Sequence, residues 1–248
     1  MQCFLLDLWE DQRVCQASPD DDLVKQLDKL PLKPGTSKCI HLAGGGRVCL
    51  VHAVQGWSLM DNPKVADGGV LQLLHDKLAS PDDIFVVNFG TWHGPHGVEP
   101  KPRNNIEMYK VVLEKFGKYY NETRAQWPHV LFRESPTSHP EDPKTGACLA
   151  YPDPSVTGSL DTAAREVLPR YGMPVVGGAR EFTMPSPWGH PGKRASYGVD
   201  CLHYCSPGIT ELLLWELSKA FQSGATGIAP LPASAPIPQR ECKEMRYY

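Results

Sequence analysis

The sequence has no block of basic residues, no apolar run long enough to span a bilayer, and no cysteines at C-x-x-C spacing. Each absence excludes something. Without a basic stripe, and with a formal net charge of −3, the chain offers no electrostatic footprint for a nucleic-acid backbone. Short apolar runs exclude a membrane-spanning segment within the chain. Unpaired cysteine spacings argue against a structural zinc site or a dithiol redox motif. Residues 1–10 (MQCFLLDLWE) lack a basic start followed by a long apolar stretch, so they do not read as a signal peptide. No internal repeat is visible.

What the chain does have is 248 residues, enough for one α/β domain or two small ones with a substantial core. Proline (24) and glycine (22) make up close to a fifth of it, which implies long loops on a compact core. Eight cysteines (Cys3, Cys15, Cys39, Cys49, Cys148, Cys201, Cys205 and Cys242) favour disulfides and hence an oxidising compartment. The sequon Asn121-Glu122-Thr123 points the same way. Secretory-type cysteines without a targeting segment lead us to expect that this chain starts late, downstream of its protein's own beginning.

Periodicity places the elements. Residues 2–10 read as a short amphipathic helix and 11–45 as a polar loop closing in Ala43-Gly44-Gly45-Gly46. A strand follows over Arg47–Val54, then a helix at 69–79. Ile84-Phe85-Val86-Val87 has the continuous apolar character of a central parallel strand. A long helix over 104–126 carries Ile106, Tyr109, Val112, Leu113, Phe116 and Tyr120 on its apolar side, and Pro128 stops it before a strand at His129–Arg133. After a loop over 134–158 come a helix at 160–168, a strand at 173–177 and a glycine- and proline-rich loop over 177–198. From residue 222 the proline-rich tail reads as disordered. Alternating strands and helices predict an α/β three-layer sandwich with a mostly parallel sheet. Its strands would end at Val54, Val87, Arg133 and Val176.

One stretch organises the rest: Asp200-Cys201-Leu202-His203-Tyr204-Cys205-Ser206-Pro207-Gly208. It sets a carboxylate three residues before an imidazole, ahead of a helix that Ser206 can cap and Pro207 can open. That helix presents Ile209, Leu212, Leu213, Leu217 and Ala220 on one face. A general base needs one fixed orientation, and an Asp can supply it by accepting the Nδ1 proton. Two plainer readings compete. Asp200 and His203 could be a hydrogen-bonded turn pair, or Cys201, His203 and Cys205 could bind zinc, although alternate residues do not fit the usual ligand spacings.

Three blocks, in order, resemble the PC-esterase family, the trichome-birefringence-like polysaccharide O-acetyltransferases and their acyltransferase relatives. Asp200 to Gly208 resembles its D-C-x-H-W-C-x-P-G signature, with Tyr204 for the usual Trp. Val86-Val87-Asn88-Phe89-Gly90-Thr91-Trp92 resembles its V-x-N-x-G-x-W strand end. Phe132-Arg133-Glu134-Ser135 with His139 resembles its F-R-x-x-S-P-x-H-F block, with Pro140 for the Phe and the Ser-Pro displaced by one. The three blocks lie within residues 84–221.

The resemblance implies an SGNH/GDSL-hydrolase-like domain over 1–221, missing its first strand, and a tail over 222–248. It implies Asp200 and His203 as acid and base of a Ser-His-Asp triad and Asn88 as oxyanion donor. Gly90, Trp92, His93 and Arg133 would line the substrate groove, and Cys148 would pair with Cys201, leaving Cys205 unpaired. No metal or bound cofactor is implied. The acetyl donor would be acetyl-CoA or an acetylated intermediate, the acceptor a carbohydrate hydroxyl, and the compartment the secretory pathway, in the Golgi lumen; the family is often membrane-anchored. The family's nucleophile sits in a Gly-Asp-Ser block that this sequence lacks, and Met1–Leu6 resembles the helix that follows it, which would place the block just before residue 1. Gly56-Trp57-Ser58-Leu59 imitates such a block, with Trp for Asp, but a turn rather than a helix is expected after it. Two functions remain: the C-terminal part of a serine O-acyltransferase or esterase, and a non-catalytic carbohydrate-binding relative.

Overall fold

In the computed structural model, which describes residues 15–17, 25, 38–42, 47–51, 56–61, 68–78, 80–90, 93, 106–151, 159–194, 198–205 and 208–224, the glycine-rich run at 43–46 separates two strands that pair antiparallel. The residues divide into two compact units, one within Met1–Asp76 and one within Lys77–Glu244, whereas the sequence suggests one domain over 1–221.

In the first unit, β1 (Cys15–Ala17), β2 (Lys38–Leu42) and β3 (Arg47–Leu50) form an antiparallel sheet in that order. This corrects two expectations. The strand from Arg47 ends at Leu50 rather than Val54, and it does not join the parallel sheet. The reason lies in the stretch read as a loop: Lys38–Leu42 is itself a strand, and it takes Arg47–Leu50 as its antiparallel partner. Two helices follow, α1 (Gly56–Met60) and α2 (Gly69–Leu78). Gly69 has φ +78, and a Cβ there would lie 2.5 Å from the Leu59 carbonyl oxygen, so a glycine is needed where α2 starts against the end of α1. Val70, Leu71 and Leu74 are buried apolar residues of α2.

The second unit is built on a parallel sheet of β4 (Ile84–Val87), β5 (His129–Arg133) and β6 (Val175–Val176), in that order. The crossovers are α3 (Ile106–Thr123) and α4 (Ser159–Val167), the second continued by a 3-10 turn over Leu168–Tyr171. β5, not β4, is the central strand: its Val130, Leu131 and Phe132 are buried, while β4 lies at the edge of the described strands with Ile84 exposed. The strand from Arg47, expected in this sheet, pairs with β2 instead. The apolar stripe of α3 puts Tyr109 and Phe116 against Phe89 at 5.8 and 5.7 Å, and Phe89 meets Phe132 at 5.3 Å. Trp127, fully buried, meets Phe85 edge-on at 4.0 Å.

Past β6 the chain is more structured than a loop. It forms α5 (Ala179–Thr183), a 3-10 turn at Pro187–Gly189, and the hairpin β7 (Gly192–Arg194) with β8 (Gly198–Asp200). The last helix, α6 (Ile209–Gln222), starts from Gly208, whose N–H donates to the Glu211 carboxylate. Ser206 and Pro207 lie outside the described residues, as do the helix expected at 2–10 and the tail beyond 224. Of the apolar face expected on α6, Ile209 is buried but Leu212 is exposed. Among the described residues no helix is long and apolar enough to cross a membrane.

Candidate active site

Parallel strands deliver their carboxyl ends to one edge, and in open α/β sheets that edge gathers polar groups. Asn88 follows β4. Its Nδ2 donates to the Arg133 carbonyl at 2.7 Å and to Ser135 Oγ at 3.1 Å, so both amide hydrogens tie β4 to the end of β5. The Glu134 N–H donates to the Val176 carbonyl at 3.1 Å, joining β5 to β6 in the same way. Gly90 has φ +149, and a Cβ there would lie 3.1 Å from both Ser135 Oγ and the Tyr109 hydroxyl. Glycine is what lets Ser135 approach.

The other groove residues fare differently. His93 is 1% exposed and packs on Tyr109 at 5.3 Å, so its ring belongs to the core rather than to an open groove. Arg133 is half-buried, and its carbonyl carries the Asn88 bond. Trp92 lies outside the described residues. Between Arg133 and Ser135, Glu134 is completely buried and held by both Nε and Nη2 of Arg165, the latter at 3.0 Å. That hydrogen-bonded pair keeps the Arg165 guanidinium charged beyond its already high ordinary tendency.

β8 delivers Asp200 to the histidine turn. Asp200 Oδ1 accepts the backbone N–H of Leu202 at 3.2 Å and of His203 at 3.0 Å, an Asx-type turn. His203 Nδ1 lies 3.1 Å from Oδ1 and 3.0 Å from Oδ2 of the same carboxylate. Burial pushes the Asp200 carboxyl up, but the hydrogen bonds from His203 backbone and ring, the His203 charge and the Leu202 N–H outweigh it and hold the pKa below the usual carboxylate value. An ionised carboxylate only accepts, so Nδ1 carries the proton, and in the neutral ring Nε2 is the basic nitrogen. The His203 side chain is 39% exposed against 17% for Asp200. A half-buried acid behind a more open base is an arrangement suited to proton transfer.

The turn is braced from several sides. Cys148 and Cys201 form the disulfide expected from the family resemblance, with Cα atoms 5.4 Å apart and a sequence separation of 53. Cys205, expected unpaired, is also disulfide-bonded, as is Cys49: its partner is in this chain and not in an upstream segment. The His139 N–H donates to the Cys201 carbonyl and the Cys205 N–H to the Gly189 carbonyl, both at 2.8 Å. The buried Tyr204 hydroxyl donates to the Thr137 carbonyl at 2.7 Å, with the Thr183 carbonyl at 3.1 Å. Loop 135–140 therefore links the Asn88 strand end to the His203 turn through its own backbone.

Sequence reading passed over His190, Tyr204 and Thr137 as site residues. His190 and Thr137 sit in loops without a local pattern, and Tyr204 registers only as a substitution for Trp. Ser58 lies in the first unit, half-buried and in the middle of α1, so its serine is inside a five-residue helix. Asp200, His203 and Asn88 belong to the second unit. Among the described residues no cluster of three or more His, Cys, Asp or Glu side chains is placed to hold a metal ion. No protein-family model matches the chain, and neither the curated proteins nor the solved structures give a match.

Proposed function

We propose that the second unit is an SGNH/GDSL-hydrolase-like domain that carries the acid and base of a serine O-acyltransferase or esterase acting on carbohydrate hydroxyls. The observation that carries the reading is the Asp200–His203 pair: Nδ1 engaged by both carboxylate oxygens, on a turn tied down by a disulfide. In the proposed reaction a serine hydroxyl attacks the acyl carbon and gives its proton to His203 Nε2. The carbonyl oxygen becomes an oxyanion, and its collapse expels the donor's leaving group, which takes the proton back from His203. A sugar hydroxyl then repeats the sequence on the acyl-enzyme; water in its place makes the reaction an esterase. Asn88 is the proposed oxyanion donor. Its longer bond, to Ser135 Oγ at 3.1 Å, is the one that would exchange for the oxyanion.

The nucleophile belongs to a Gly-Asp-Ser block that this sequence does not contain. The donor class is acetyl-CoA or an acetylated intermediate. Disulfide-bonded Cys49, Cys148, Cys201 and Cys205 support an oxidising compartment such as the Golgi lumen. The absent block also favours a second reading, a carbohydrate-binding relative that keeps the groove without the chemistry. The test incubates the purified chain, with and without a Gly-Asp-Ser segment fused upstream, with an activated acetyl ester, and looks for an adduct by mass spectrometry. We expect no adduct on the chain alone, and one on the fused serine that His203→Ala abolishes. A stable adduct on Ser58 that His203→Ala removes would reassign the nucleophile; no adduct in either form favours the binding reading.

A further inference from the structure

Behind the Asp200–His203 pair lies a second, buried pair of imidazoles, His139 and His190. His190 Nδ1 is 2.6 Å from the His203 carbonyl oxygen, and His139 Nε2 is 3.0 Å from the Met184 carbonyl oxygen. A carbonyl accepts and cannot donate, so each contact requires an N–H on the histidine. Those two hydrogens are all that two neutral imidazoles possess. Yet the inner nitrogens, His139 Nδ1 and His190 Nε2, face each other at 2.7 Å. With two protons one of the three contacts must be lone pair against lone pair; with three, all are hydrogen bonds. The Tyr204 hydroxyl, 3.4 Å from His139 Nδ1, does not supply the missing hydrogen, because its own goes to the Thr137 carbonyl at 2.7 Å.

We propose that His139 and His190 form a single proton-binding unit that positions the His203 turn, closing all three hydrogen bonds when the inner nitrogens take up one shared proton and loosening the hold on the His203 carbonyl when they release it. The unit is well placed for this. Both rings are buried, at 3% and 7% exposure, so water cannot repair a broken contact. His190 lies against Tyr204 at 4.0 Å between ring centres, and its N–H bond reaches the backbone of the residue that carries the basic nitrogen. The surrounding groups set where the proton binds. Burial lowers both rings, His190 to about 4; for His190 the His203 bond and the Asp200 charge raise it, while His139 and His203 lower it. For His139 the Met184 carbonyl raises it. Tyr204 and Tyr151 are the other titratable neighbours, and burial raises both, so they stay neutral throughout. Uptake therefore falls below the ordinary histidine value of about 6.5. Two rings sharing one proton titrate as a pair with a common midpoint rather than as two sites.

The proton shared by the two rings and the turn it holds do not depend on acyl transfer. The experiment is a pH titration of the whole chain with 15N-labelled histidine and backbone, followed by NMR. The expected result is a single shared midpoint for the His139 and His190 ring nitrogens, below about 6.5, with the Tyr204 amide shifting at that same midpoint because its peptide contains the His203 carbonyl. His139→Gln should remove that step from the Tyr204 amide. Independent midpoints for the two rings, or a Tyr204 amide that ignores them, would overturn the proposal, and both are read on the unmodified chain should the variant fail to fold.

Discussion

His203 Nδ1 sits 3.1 and 3.0 Å from the two oxygens of Asp200, and Oδ1 of that carboxylate also takes the backbone N–H of His203 at 3.0 Å. The residue that orients the imidazole thus also builds the turn that carries it. Its pKa lies below the ordinary value in the folded chain. A depressed carboxylate contributes stability that is present above the unfolded value of about 3.9 and is lost as pH falls through the folded value. Asp200→Asn should therefore lower the urea midpoint at neutral pH and make no difference in acid below the folded value. Parallel curves for both proteins across the whole range would show that the turn does not depend on the carboxylate's charge.

The Cys148–Cys201 bond anchors the residue next to Asp200 to the loop that follows β5. Closing 53 residues removes enough unfolded-chain entropy for roughly 4 kcal/mol of stabilisation. The double variant Cys148→Ser with Cys201→Ser should lose a comparable amount in urea unfolding and should broaden the His203 ring resonances. Loss of stability with unchanged His203 signals would mean that the disulfide holds the fold but not the turn.

Gly90→Ala tests the contact between the two strand ends. The substitution places a methyl 3.1 Å from Ser135 Oγ at a φ of +149, which side chains rarely tolerate. A cost of about 1–3 kcal/mol is expected from the backbone alone. Because Ser135 also receives the Asn88 amide, the Asn88 side-chain NH2 signals should shift in the variant. A neutral effect on both stability and those signals would remove the reason for a glycine here.

Much of this was legible in the sequence, and the misses have physical causes. The Asp200–His203 turn and the strand ends at Asn88 and Arg133 could be read because spacing of three residues and terminal polar residues are local features. The pairing of Arg47–Leu50 was not, because strand partners are chosen by tertiary contact, and the glycine-rich run after Leu42 serves a loop and a hairpin equally well. The family resemblance implies His93 as a groove residue, yet its burial depends on Tyr109 and Phe89, one of them on a different element. The His139–His190 pair joins residues 51 apart in two loops, which no local pattern can announce.

Trp188 gives the last prediction. It is 78% exposed, a large apolar surface to leave in water. The residues that follow it are tied to the histidine turn. The next residue, Gly189, accepts the Cys205 N–H at 2.8 Å, and a Cβ on it would lie 3.0 Å from the Tyr204 ring. One residue further, His190 binds the His203 carbonyl. An exposed indole two residues before the histidine that binds the His203 carbonyl suits stacking against the apolar face of a sugar ring. If the substrate is a carbohydrate, Trp188→Ala should weaken a soluble oligosaccharide about tenfold, equivalent to about 1.4 kcal/mol. It should leave unfolding within about 0.5 kcal/mol of the parent, as expected for a surface site. Calorimetric titration of both proteins against acetylated and unacetylated xylan and pectin fragments makes the comparison. Binding that is equal in the two proteins would take Trp188 out of the groove, and no binding to either would count against the carbohydrate reading itself.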